Sequence, residues 1–118
     1  MASGKGDLNY ASEKIGVAVD ILATTHGTLQ ERLLDAYMSQ GHHALPMGPG
    51  QTGIPMSDEL IRRLEALNER MSCRPAKAGE GTFAATILAF TDEEASDAAR
   101  ELIEINHQIE MELEAALR

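Results

Sequence analysis

The chain has no tryptophan and only two tyrosines and two phenylalanines, an aromatic share of 3% over 118 residues. Its core must therefore be aliphatic, built from Leu, Ile, Val, Ala and Met. Such cores suit helix-on-helix packing, because strands favour aromatic and β-branched residues. The single cysteine, Cys73, excludes an internal disulfide framework. Basic residues are also scarce, ten Lys and Arg against nineteen Asp and Glu, for a net charge of −9. A nucleic-acid groove needs a basic stripe, so no nucleic-acid partner is expected. Anionic membrane surfaces are disfavoured for the same reason. No run approaches the roughly 20 apolar residues of a membrane span. The opening Met-Ala-Ser-Gly-Lys-Gly-Asp lacks the apolar core of a signal peptide. Together these absences lead us to expect a soluble protein in a reducing, cytoplasmic setting.

What is present is helical periodicity. Hydrophobic residues make up 43% of the chain, too many for a disordered one. Thr91-Asp92-Glu93-Glu94 is a T-x-x-E capping box opening a long segment to Arg118. Ala98, Leu102, Ile105, Ile109, Leu113 and Ala116 then recur in steps of three or four, one helical face without Gly or Pro. Asp7 is placed to cap a first helix to about Thr25, with Leu8, Ala11, Ile15, Ala18, Val19 and Leu22 inward and Gly27 as its stop. Thr28-Leu29-Gln30-Glu31 is a second box, opening a helix to about Gln40. Ser57 caps a third helix, whose stripe is Leu60, Ile61, Leu64, Leu67 and Met71. Residues 83–90 are apolar throughout and read first as a short buried helix, second as an extended segment. Residues 1–6 read as a disordered lead. Residues 41–56, with four Gly and three Pro, read as a long irregular loop that leaves its backbone weakly protected. The expected fold is all-α, a single-domain bundle of about four helices with a long C-terminal helix.

Several constellations bear on chemistry. Gly48-x-Gly50-x-x-Gly53 matches a dinucleotide fingerprint in letters, but no strand precedes it and Pro49 removes a donor. Glu104 and His107, spaced i, i+3, can reach one metal ion, as in carboxylate-bridged helical bundles. A second Glu-x-x-His is lacking within the chain. A homodimer could supply it by symmetry, with Glu13, Asp20 or Glu31 as further ligands. Glu93, Glu94, Asp97 and Glu101 have the look of a Mg²⁺-holding acidic cluster in all-α nucleotide pyrophosphohydrolases, although the first two also complete a helix cap. His42-His43, with His26, could hold Zn or Ni loosely, but without Cys partners or ordered spacing they read instead as surface histidines in a loop. Cys73 beside Arg74 reads as a packing residue rather than a nucleophile.

From Phe83 onward, nine acids stand against Arg100 and Arg118, so most of the negative charge lies in the last third. A C-terminal helix of 28 residues would be about 40 Å long. That exceeds a globule whose radius of gyration is about 13 Å, and the stripe continues to the terminus. The expected function is therefore helix-mediated association, with a second copy or another protein, through Leu102, Ile105, Ile109, Leu113 and Leu117. Arg62, Arg63, Arg70 or Arg100 would offset the acids Glu101, Glu104, Glu110 and Glu112 along the seam. No cofactor is expected. The alternative is a metal-binding or Mg-dependent helical enzyme using Glu104 and His107 or the acidic cluster.

Overall fold

Each helix begins where a short polar side chain can satisfy the first free N–H groups. In the computed structural model, which describes residues 7–44, 53–76 and 81–118, α1 runs Leu8–Thr24 and the Asp7 carboxylate accepts from the Asn9 N–H. Helix α2 is Leu29–Ser39 and α5 is Asp92–Ala116. Both open with complete capping boxes, Thr28 with Glu31 and Thr91 with Glu94. The hydrogen bond from the Thr91 N–H holds the Glu94 carboxyl below its ordinary pKa. Helix α3 is Asp58–Met71, with the Ser57 hydroxyl accepting from the Leu60 N–H. The ambiguous apolar segment is a short helix, α4, Thr82–Ile87. Among the described residues there is no strand, and the fold is an all-α bundle. No helix among them is long and apolar enough to cross a membrane.

Loop residues differ in what they do. Gly41–Ala44, expected to be part of the irregular loop, is a 3₁₀ turn that packs on α1 and α2, and residues 45–52 of that loop lie outside the described residues. Met56 is buried and Ile54 packs on the core, so the return toward α3 is anchored by apolar contact. Gly53 has φ +115°, and a Cβ there would strike the Asp7 carboxylate. The chain thereby closes over the start of α1, where the Leu8 N–H donates to the Ile54 carbonyl at 2.7 Å. The lead 1–6, the glycines 48 and 50, and Met47 lie outside the described residues.

Helix α5 is the element that the others share. It packs against α1, α2 and α3, while α4 sits on α2 and α3. Ala95, Ala98, Leu102, Ile105 and Ile109 have no exposed surface. Alanines fill the first part of that stripe, and larger branched residues fill the rest. Arg32 of α2 fixes the tight turn after α1, donating to the carbonyls of Leu22 and Gly27. Gln30 donates to the Phe90 carbonyl and the Asp92 carboxylate, which ties α2 to the start of α5. Tyr37 is buried, and its hydroxyl donates to Asn68 of α3 at 2.8 Å. The molecule measures 42 × 28 × 19 Å with a radius of gyration of 14.4 Å.

Candidate functional site: the outward face of α5

The predicted interface stripe is placed by this packing, and most of it is filled from within the chain. Leu102, Ile105 and Ile109 are fully buried under α1, α2 and α3, so they present nothing to a second molecule. Leu113 is half-buried against the core. Only Leu117, 73% exposed, stands free of it. The reason is coverage: Leu113 is the last residue of the stripe packed on the core, and the helix continues past it.

A polar seam marks that limit. Arg63 of α3 donates to both carboxylate oxygens of Glu101, at 3.0 and 2.9 Å. It also reaches Gln108 at 2.8 Å and Glu104 at 3.4 Å. Gln108 donates to Glu112, and Glu112 accepts from the Ser57 hydroxyl and N–H at the head of α3. Hydrogen bonds donated to the Glu101 carboxylate push the Arg63 guanidinium above its ordinary pKa. A forked, partly buried pair of this kind is worth more than an exposed one. Arg63→Met should lower stability by roughly 1–2 kcal/mol in urea unfolding, and 0.5 M salt should shrink that difference. An unchanged midpoint would remove the seam from the account.

The acidic candidates are drawn into the same structural work. Glu94 completes the cap of α5. Asp97 pairs with Arg70 at 4.0 Å and Arg100 at 3.4 Å. Glu101 belongs to Arg63. Glu104 and His107 lie one turn apart on α5, both exposed, with Glu104 turned to Arg63. Among the described residues of one chain, no three His, Cys, Asp or Glu side chains gather as a metal site. Cys73 is exposed rather than packed.

His42 and His43 form an aromatic cluster instead. Their rings lie 3.9 Å apart, and His42 also lies 5.3 Å from Phe83, which meets Tyr37 edge-on at 5.2 Å. Burial holds His42 below its ordinary pKa of 6.5, the His43 charge adds to this, and a hydrogen bond to the Met38 backbone opposes it. A depressed pKa means that the unfolded chain binds the proton first. This contribution to stability is full above pH 6.5 and is lost as pH falls toward the folded value. The melting temperature of His42→Phe should therefore fall less than wild type between pH 7 and 5. Equal slopes would show that His42 does not titrate in coupling with folding.

What the sequence pattern concealed is the other side of α5. Ile103 is 49% exposed and Met111 is 61% exposed. Together with His107 and Ala115 they recur every fourth residue, on the side opposite the buried stripe. An open cleft of about 800 Å³ runs beside this ridge, walled by Glu59 and Arg63 of α3. A smaller one, about 400 Å³, lies on the other flank against Val19, Ala23 and Leu29. Ile103 lines both. The signal was legible as apolar residues at i and i+8 among acids, but the stronger stripe masked it. No family model, curated protein or solved structure matches this chain.

Proposed function

We propose that this protein is a self-association module, in which a second copy covers the outward face of α5. The observation that carries the reading is the apolar ridge. Of the seven large apolar side chains exposed among the described residues, three (Ile103, Met111 and Leu117) belong to α5 and its cap. The others are dispersed over α1, α2 and the turn after α4, as ordinary surface residues are. Clustered exposed apolar groups mark interaction sites.

The occupant follows from symmetry about His107. Ile103 and Met111 lie one turn to either side of it, and Arg100 and Glu114 two turns to either side. When two α5 helices cross antiparallel on a two-fold axis at His107, Ile103 meets Met111 of the second copy. Arg100 then meets Glu114. Apolar faces apolar, and positive faces negative. A two-fold pair is also the commonest oligomer. Glu104 and Glu110 come opposite each other, and Arg63 at 3.4 Å offsets part of that charge.

The test is sedimentation equilibrium across nanomolar to hundred-micromolar protein in physiological salt. A concentration-dependent monomer–dimer transition is expected. A monomer throughout that range would refute the proposal.

A further inference from the structure

The same two-fold crossing brings two imidazoles together. We infer that the pair of His107 side chains, one from each copy, forms with Glu110 of each copy a site for a borderline divalent transition cation such as Zn²⁺. The inference rests on the self-association proposed above, because one chain alone supplies too few ligands. His107 and Glu110 are one turn apart on α5 and both are exposed. An i, i+3 pair on one helix face can reach a common ion. Neither side chain has a hydrogen-bond or ion-pair partner among the described residues, whereas Glu104, the carboxylate on the other side of His107, is held by Arg63. Gln108 and Glu112 are likewise committed to the seam with α3. Glu110 is thus the carboxylate left for the ion.

Two imidazole nitrogens and two carboxylate oxygens make a tetrahedral N₂O₂ set. Imidazole ligands favour Zn²⁺, Ni²⁺ or Cu²⁺ over Mg²⁺ or Ca²⁺, which take oxygen. The ion would also neutralise the acids that meet at the axis. Glu104 and Glu110 of both copies repel there, and that repulsion limits the metal-free pair. Cation binding and pairing therefore strengthen each other.

The experiment is sedimentation equilibrium with EDTA or with stoichiometric Zn²⁺, combined with Co²⁺ absorption spectroscopy. Zinc should tighten the dimer at least about tenfold, with one ion for every two chains. Cobalt should give the intense visible bands of a tetrahedral site. His107→Ala should abolish both responses, and Glu110→Gln should weaken them. His42→Ala with His43→Ala should keep both responses, because those rings belong to another cluster. A zinc response that survives His107→Ala, or that disappears with His42 and His43, overturns the site. A dimer indifferent to zinc overturns the site and leaves self-association standing. A monomer with and without zinc overturns both.

Discussion

Replacing Ile109 with glutamate should unfold this protein rather than separate two copies of it. Ile109 has no exposed surface and lies in the shared core beneath the neighbouring helices. Losing a buried isoleucine alone costs about 2–5 kcal/mol. Placing a carboxylate in an apolar site adds several kcal/mol more, unless the group is protonated or drawn out to water. A domain of this size has a total stability of about 5–15 kcal/mol. The variant should therefore lose most of its helical circular dichroism at 25 °C, or melt at least ~20 °C lower than wild type. Leu102→Ala provides a graded control, with an expected loss of about 3 kcal/mol. A folded, stable and merely monomeric Ile109→Glu would mean that the stripe is an interface after all, and that the packing described here is not the one in solution.

The paired change Ile103→Glu with Met111→Glu should do the opposite. Both side chains stand on the outward face, about half exposed or more. Exposed substitutions usually alter stability by no more than about 0.5 kcal/mol each. The melting temperature should move by only a few degrees. Two carboxylates of each copy would instead be forced into an apolar contact that already carries acids. The dimer dissociation constant should rise at least ~100-fold, which corresponds to about 2.7 kcal/mol. If the variant still pairs as tightly as wild type, the second copy sits elsewhere. The two glutamate variants thus separate the two faces of one helix by different readouts, stability for one and association for the other.

The fold was legible because its signals are local. Asp7, Thr28, Ser57 and Thr91 each cap the helix expected of them, since capping needs only a short side chain and the next turn of backbone. The stripe Leu60, Leu64, Leu67 and Met71 is buried, as its period implies. The identity of the cover on α5 was not legible. Periodicity says that Leu102, Ile105 and Ile109 want burial, but it is silent on whether the same chain or another supplies it. That depends on where α1, α2 and α3 end relative to α5, a matter of tertiary placement. Charge pattern was ambiguous for a similar reason. Glu101 and Glu104 look like one acidic rim in sequence, whereas Arg63 arrives from a helix about forty residues away to hold both. The weak ridge at Ile103 and Met111 acquires meaning only once the strong stripe has been accounted for.

On this proposal, a second copy lies antiparallel on the outward face of α5 with its axis at His107. The most direct measurement is disulfide capture, with Cys73 changed to Ser and a single new cysteine introduced at position 107. Residues on the axis meet their own counterparts, and a bound partner holds the two thiols at an effective concentration near the millimolar range. With His107→Cys, mild oxidation should give covalent dimers at micromolar protein at least ~10-fold faster than with Glu65→Cys, an exposed position on α3. Equal, slow cross-linking at both positions, with a monomer before oxidation, would contradict the account.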